Sequence, residues 1–164
     1  MTRQQFTSNV EATQRALRRF LVALCCGDSS RADDIAQESY LKAYLSLDKL
    51  DDPCKFKPWV FRIAYNTFIS QYRKTDCLCP LEDAKVNIAP DIADSGFKYQ
   101  ALYLALEMLT PKERTSILLY YMQGYSIKEI SQIENTSESA VKQHLSRGRI
   151  HLRDFIQNIE DGTR

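Results

Sequence analysis

The 164-residue sequence predicts an all-α protein of two small helical domains joined by a flexible acidic linker. Three observations lead to this fold class. Apolar side chains recur at helical spacing through most of the chain, with almost no strand signal. Residues 77–97 break that pattern, because they hold four acidic residues against one lysine, two prolines and no sustained apolar period. Residues 126–153 carry the pattern of a helix-turn-helix, so we expect domains at 1–76 and 98–164 with a linker at 77–97.

The first predicted domain contains three helices. Residues 8–24 place four apolar side chains on one face, Leu17, Phe20, Leu21 and Leu24. Ser29 or Ser30 can cap the second helix, which ends before Asp51–Pro53. The predicted buried stripe of that helix consists of Ala36, Tyr40, Ala43, Tyr44 and Leu47. The third helix spans about 56–74 and carries an aromatic stripe interleaved with basic residues: Phe61, Tyr65, Phe68 and Tyr72. Such a stripe is usually core, although aromatic and basic side chains together also suit single-stranded nucleic acid.

The second predicted domain begins with a helix over 98–109, whose apolar positions are Leu102, Ala105, Leu106 and Leu109. Thr110–Glu113 then combine a capping box with a proline at the first helical position, which is a strong start signal. Gly124 is expected to end that helix, because glycine is favoured just past a helix C-terminus.

The helix-turn-helix is the most informative segment. Its first helix opens on a capping box formed by Ser126 and Glu129, and Asn135 suits a left-handed turn residue. Ser137 can cap the second helix. This helix carries four basic residues, Lys142, Arg147, Arg149 and Arg153, and its predicted buried stripe is Val141, Leu145, Leu152 and Ile156, with Gly148 permitting close approach. A helix of this kind enters the DNA major groove, so the chain is predicted to bind DNA.

Composition limits the remaining possibilities. The net charge is only +1, and a hydrophobic content of 44% is ample for a core. No apolar signal segment or membrane-length apolar run is visible, so a cytoplasmic protein is expected. Five cysteines, an odd number, argue against a disulfide framework, and they are expected to be reduced thiols; His144 and His151 are expected to be solvated. We expect no metal or other cofactor and no enzyme activity, because no catalytic motif is present.

Three segments in this order resemble a known family. An acidic pair precedes Gln-Glu and an aromatic over 33–44, an aromatic-basic segment covers 56–66 and 72–74, and residues 109–114 lead into the helix-turn-helix. These segments resemble regions 2.2, 2.3–2.4 and 4 of bacterial sigma-70 family factors, specifically the small extracytoplasmic-function group. The resemblance covers about residues 10–157. Ser70, Asn135 and Gly148 depart from the family's usual Asp, Gly and Ala.

The resemblance implies three sites. Core polymerase, through its β′ clamp and β subunits, would be bound by Asp34, Gln37, Glu38 and Leu41. The −10 element would be bound as a single strand by Lys55, Phe56, Lys57, Trp59, Arg62 and Asn66. The −35 duplex would be read by Ser139, Lys142, Gln143, Ser146 and Arg147. The pattern alone also permits simpler interpretations: a solvated helix face, core aromatics, and arginines that contact phosphate without reading bases.

The function implied by the resemblance is that of a promoter-specificity subunit, which directs transcription initiation and is inhibited by an anti-sigma factor. The acidic linker would enter the basic nucleic-acid cleft of the polymerase. Two alternatives stay open at this point. One is a helix-turn-helix regulator that acts without polymerase, against which residues 25–75 speak. The other is a degenerate sigma factor that only titrates an anti-sigma partner.

Overall fold

The computed structural model describes residues 1–78 and 96–162, with side chains described for 1–75 and 99–162. The segment 77–97, predicted to be a flexible acidic linker, lies almost entirely outside these ranges. Within them the chain forms α-helices and no strand. The helices are α1 (Arg3–Leu24), α2 (Ser29–Leu45), α3 (Phe56–Leu78), α4 (Gly96–Glu107), α5 (Pro111–Ile117), α6 (Ile127–Glu134) and α7 (Glu138–Gly162). Short 3-10 turns occupy Leu47–Lys49 and Pro53–Lys55, and a π-helical turn, Leu118–Met122, follows α5.

The packing of α1 and α3 agrees with the sequence pattern. All four predicted core residues of α1 are fully buried. On α3 the rings of Phe61, Tyr65 and Phe68 are buried, and Tyr72 is half-buried. The aromatic stripe of α3 therefore belongs to the core, as the simpler interpretation has it.

The predicted details of α2 are wrong in two respects. Its N-cap is Asp28, whose Oδ1 accepts a hydrogen bond from the backbone N–H of Arg31 (3.0 Å), so both candidate serines lie inside the helix. Of the predicted buried stripe only Ala43 is fully buried, while Ala36, Tyr40 and Leu47 are half-buried and Tyr44 is 39% exposed. The other buried residues of α2 are Ala32, Ile35 and Ser39. Because α2 packs against both α1 and α3, its most buried line lies between the two neighbours rather than along the row with the largest side chains.

The local signals of the second domain are confirmed. Thr110 Oγ1 accepts from the N–H of Glu113 (3.3 Å), and a Glu113 carboxylate oxygen accepts from the N–H of Thr110 (3.3 Å). Gly124 adopts a left-handed conformation (φ +73°) after the π-helical turn, which only a residue without a Cβ adopts readily. On α4, Ala105, Leu106 and Leu109 just beyond it are buried, but Leu102 is 44% exposed.

The helix-turn-helix also forms as its caps predict. Ser126 and Glu129 close a capping box, with N–H to oxygen distances of 2.8 and 3.3 Å. Asn135 takes the left-handed conformation (φ +51°), and Ser137 Oγ accepts from the N–H of Ala140 (3.1 Å). On α7 the predicted buried stripe is right for Val141 and Leu145, while Leu152 is half-buried.

The stripe is wrong at Ile156, which is 54% exposed because it lies in the last turns of α7, beyond its main packing against α5 and α6. Gly148 packs closely on α5. A Cβ at this position would lie 2.8 Å from Ile117 Cγ1, so the absence of a side chain lets α7 approach α5.

The two helical domains pack against each other through one continuous buried cluster. The rings of Phe61 on α3 and Tyr125 before α6 meet at 5.8 Å between centroids. The buried guanidinium of Arg114 donates to three backbone carbonyl oxygens, those of Leu24 (2.9 Å), Leu106 (2.8 Å) and Leu109 (3.2 Å). These carbonyls lie at the C-terminal ends of α1 and α4, where unpaired carbonyls favour a cation.

Candidate nucleic-acid interface

The predicted duplex-reading face of α7 is open to solvent. All five of its residues are exposed: Ser139, Lys142, Gln143, Ser146 and Arg147. The opposite face, with Val141 and Leu145, packs on α5 and α6. The helix therefore presents amide, hydroxyl, ammonium and guanidinium groups outward, which are the donors and acceptors that read base edges and phosphates in a major groove.

Two histidines of this helix contact glutamates on other helices: His151 is exposed, as expected, whereas His144 is half-buried, so the expectation of a solvated side chain is wrong for His144. His151 Nδ1 lies 3.0 Å from Glu113 Oε2, and His144 Nδ1 lies 3.6 Å from Glu134 Oε2 and 3.4 Å from Ser116 Oγ. Ser116 Oγ also donates to Glu134 Oε1 (2.7 Å). Sequence reasoning missed both pairs, because the partners lie on different helices and no local signal joins them.

Burial sets the charge of the pair formed by His144 and Glu134. It raises the pKa of Glu134 to about 7, and it lowers the pKa of His144. A low-dielectric site disfavours the charged form of each group, so near neutral pH the histidine is mainly neutral and the carboxyl is partly protonated.

The predicted −10 surface of α3 divides into exposed and buried members. Lys55, Lys57, Arg62 and Asn66 are exposed, and Trp59 is half-buried. Phe56 is only 2% exposed, with its ring packed against those of Phe6 (5.6 Å) and Trp59 (6.0 Å). Phe56 therefore supports Trp59 from the core and is not accessible to DNA in this arrangement.

This surface of α3 faces the helix-turn-helix. A cavity of about 250 Å³ is lined by Lys55, Trp59 and Arg62 on one side and by Gln132 and Ile133 of α6 on the other. Farther along α3, Asn66 lines a second cavity together with Asn135 and Thr136. The candidate strand-binding residues of the first domain thus lie opposite the second domain, while the face of α7 is free.

The predicted polymerase-binding face on α2 points away from the core. Asp34 and Gln37 are exposed, and Leu41 is 59% exposed although it is apolar. Glu38 is held in place, because its carboxylate contacts Lys42 Nζ (2.6 Å) and accepts from Gln71 Nε2 (3.0 Å). The hydrogen bond from Lys42 holds the pKa of Glu38 below its usual range, so this carboxylate stays charged.

The cysteines of the described ranges form no cluster. Cys25 and Cys26 are buried free thiols, and Cys54 is exposed. Burial raises the pKa of the Cys25 thiol to about 12, which leaves it unreactive at neutral pH. Among the residues with described side chains, no group of three potential metal ligands comes together.

The fold and the exposed second helix define a helix-turn-helix DNA-binding protein, and comparison with known proteins gives its family. Residues 10–76 match sigma-70 region 2, and residues 99–152 match sigma-70 region 4. The sigma factor SigW of Bacillus subtilis is 32% identical over 148 residues, covering 81% of this chain and 79% of SigW. SigM of the same organism is 31% identical over 147 residues, covering 82% and 85%. The sigma factor RpoE from Bartonella quintana, solved with the anti-sigma factor NepR, superposes with a TM-score of 0.77 at 25% identity, covering 93% and 96%.

The chain belongs to the sigma-70 family, in its extracytoplasmic-function group. It is a promoter-specificity subunit of RNA polymerase and not an enzyme, and its partners are core polymerase and promoter DNA. The region 2 match argues against a regulator that acts without polymerase, since region 2 is the part expected to bind core polymerase. In the described part of the chain, no helix is long and apolar enough to cross a membrane.

Proposed function

We propose that this sigma factor works through three separate surfaces, divided between a first domain at 1–76 and a second at 98–164 on either side of a linker at 77–97. The outer face of α2 binds polymerase, the polar face of α3 captures the −10 strand, and α7 reads the −35 duplex. The observation that carries this proposal is that the three residue sets lie on three different parts of the fold, and that all of their members except the buried Phe56 are at least partly exposed.

The −35 assignment rests on the outward face of α7. Gln143 can pair with the N6 and N7 edge of adenine, and Lys142 or Arg147 can bind guanine or phosphate. Ser139 and Ser146 complete the face as small donors and acceptors. His144 and His151 contact the buried Glu134 and Glu113 on α6 and α5, so this face is presented by a helix that is held at two points.

The −10 assignment rests on Trp59, Arg62 and Asn66, with Lys55 and Lys57 following the strand backbone. An aromatic edge, a cation and an amide on one helix face are what capture of an unstacked base requires. In our proposal Phe56 has a packing role. Because α6 lies across this face, the two domains have to separate before a DNA strand reaches Trp59.

The polymerase assignment rests on Leu41, an exposed apolar side chain among polar groups. Fixed charge at Glu38 and apolar area at Leu41 suit a modest protein interface. We place the protein in the cytoplasm, where polymerase and promoters are, and we propose an anti-sigma partner because the RpoE structure is a complex with one.

Charge reversal on α2 tests the proposal. The variant Asp34→Lys with Glu38→Lys should lose core polymerase binding and run-off transcription of genomic DNA, with an unchanged helical circular dichroism spectrum. A matched control reverses two exposed acids elsewhere, Glu11→Lys with Asp48→Lys, and should bind normally. Wild-type affinity in the first variant would remove α2 from the polymerase interface, and equal loss in both would show that overall charge is responsible.

A further inference from the structure

A cleft runs between the end of α3 and the helix-turn-helix. It consists of two adjoining cavities of about 390 and 510 Å³, which share the side chains of Ile69, Arg73, Lys112 and His144. The last turns of the described part of α3 form one wall, and the starts of α5 and α7 with the turn before α7 form the other. Both domains therefore contribute to a single site, whose size is that of a small-molecule pocket.

The outer cavity gathers positive charge. Arg73 from α3, Lys112 from α5 and Arg147 from α7 all line it, and all three are exposed. Within the described part of the chain, none of them forms an ion pair or a hydrogen bond. After burial, the charges of Lys112 and Arg147 help to lower the pKa of His144, so their field extends into the cleft.

Among the described residues one carboxylate, that of Glu113, lines the outer cavity, and it offsets only part of the charge of the three cations. Glu113 is 5% exposed, and its Oε2 already accepts from the N–H of Thr110 (3.3 Å) and contacts His151 Nδ1 (3.0 Å). Closing the two domains therefore brings like charges together, which costs free energy unless an anion binds between them.

The inner cavity is polar and contains an unsatisfied group. Asn66, Asn135 and Thr136 line it together with Glu134, whose side chain is only 1% exposed. Glu134 Oε1 is bonded to Ser116, but Oε2 is buried without a hydrogen-bond partner, since His144 Nδ1 at 3.6 Å is too far away. An unpaired buried carboxyl oxygen is costly, and a ligand group that donates to it would remove the cost.

We propose that this cleft binds a nucleoside polyphosphate, with its phosphates on Arg73, Lys112 and Arg147 and its ribose or base against Glu134 in the inner cavity. Guanidinium groups suit phosphate because they donate two parallel hydrogen bonds. Ile69 and the half-buried Tyr72 give the outer cavity an apolar side for the rest of the molecule. A DNA strand is the other source of phosphate, but the inner cavity has walls from both domains, which suits a single nucleotide better than a continuing chain.

Such a ligand would contact both domains and so would favour the packed arrangement over the separated one. In that arrangement α6 covers the candidate −10 face of α3. The nucleotide would therefore oppose promoter engagement. Nucleotide binding itself depends on the packing of the domains, whereas its opposition to promoter engagement also rests on the proposed −10 role of α3 and on Arg147, which belongs to the proposed −35 face.

Titration calorimetry on the full chain, without polymerase or DNA, tests the proposal with ATP, GTP and inorganic tripolyphosphate as probes. We expect saturable one-site binding of a nucleotide, and Arg73→Gln should weaken it by about tenfold, the loss of one charge-assisted contact. The matched control is Lys74→Gln, which removes the same charge from the next, exposed residue of α3, outside the cleft, and should change the dissociation constant by less than about twofold. Lys112→Gln and Lys128→Gln form a second such pair.

Three results would overturn the proposal. The first is the absence of saturable binding of either nucleotide. The second is equal weakening by Arg73→Gln and Lys74→Gln, which would mean diffuse electrostatic attraction. The third is that tripolyphosphate binds as tightly as the nucleotides, which would show that the inner cavity does not bind the ribose or base. Since polymerase and DNA are absent, each of these results leaves the promoter function untouched.

Discussion

Replacement of Gly148 by alanine sets two known effects against each other. In the middle of α7, alanine is favoured over glycine by up to about 1 kcal/mol of helix propensity. The new methyl group, however, would lie 2.8 Å from Ile117 Cγ1 and 3.2 Å from its Cδ1, well inside the ordinary contact distance. Overpacking of this kind costs about 1–3 kcal/mol. Ile117 is itself only 6% exposed and has little room to move, so the clash should win and Gly148→Ala should destabilise the fold by about 1 kcal/mol.

Urea unfolding of a double-mutant cycle measures this balance. Ile117→Ala alone should cost about 2–5 kcal/mol, because it opens a cavity. In that background the methyl group of Gly148→Ala has space, so its effect should change sign, with a coupling energy of about 1–3 kcal/mol. Gly162→Ala is the control on the same helix, since a Cβ there meets nothing within 4 Å. If Gly148→Ala stabilises the wild-type protein and the Ile117→Ala variant by the same amount, the close approach of α7 to α5 is not the reason that glycine is required at this position.

Three further outcomes are expected. Burial raises the pKa of Glu134 from 4.5 to about 7, so its contribution to stability is full below about pH 4.5 and is lost as pH rises through 7. In urea unfolding between pH 4.5 and 8, the unfolding free energy of wild type should fall by up to about 3 kcal/mol relative to that of Glu134→Gln. Parallel pH profiles of the two proteins would contradict this. Asn135→Ala should cost about 1–2 kcal/mol of unfolding free energy because φ is +51°, whereas Asn135→Gly should cost nothing, and equal stability of the two variants would show that the left-handed turn is not required. Lys142→Ala should lower the salt dependence of −35 DNA binding by about one unit if Lys142 contacts phosphate, or reduce discrimination at one base pair by about 1–3 kcal/mol if it reads a base; a variant unchanged in both measurements would remove Lys142 from the site.

The parts of the fold that the sequence predicts are those fixed by local chemistry. The capping boxes at Thr110 and Ser126, the left-handed Asn135 and the stop at Gly124 each depend on residues within one turn, and each is confirmed. A cap satisfies backbone groups that are otherwise unpaired, so its signal lies in the chain next to it.

The errors come from packing between distant segments. The buried line of α2 is set by its two neighbours, α1 and α3. Ile156 is exposed because α7 extends beyond its own partners, α5 and α6. The π-helical turn shifts the helical phase, so that Leu119 is buried while the next residues, Tyr120 and Tyr121, face solvent. A search for a uniform period of 3.6 residues cannot anticipate such a shift.

The candidate site shows the same division. Exposure of the α7 face was predictable, because helical periodicity separates it from Val141 and Leu145. The contacts of His144 and His151 with buried glutamates were not, and neither was the burial of Phe56 against Phe6. These depend on residues 10 to 50 positions apart in the chain, and no spacing rule links them.

The apolar cluster shared by the two domains has a consequence for temperature. Separating the domains would expose the ring of Tyr125 and its neighbours to water, and apolar exposure raises the heat capacity. Binding of this sigma factor to polymerase should therefore carry a positive heat-capacity component from domain opening, which partly cancels the negative one from the new interface. Hydrophobic contacts also weaken on cooling, so the domains should separate more readily in the cold. A bacterium that carries this chain would then have a sigma factor whose readiness to engage polymerase varies with the temperature of its surroundings.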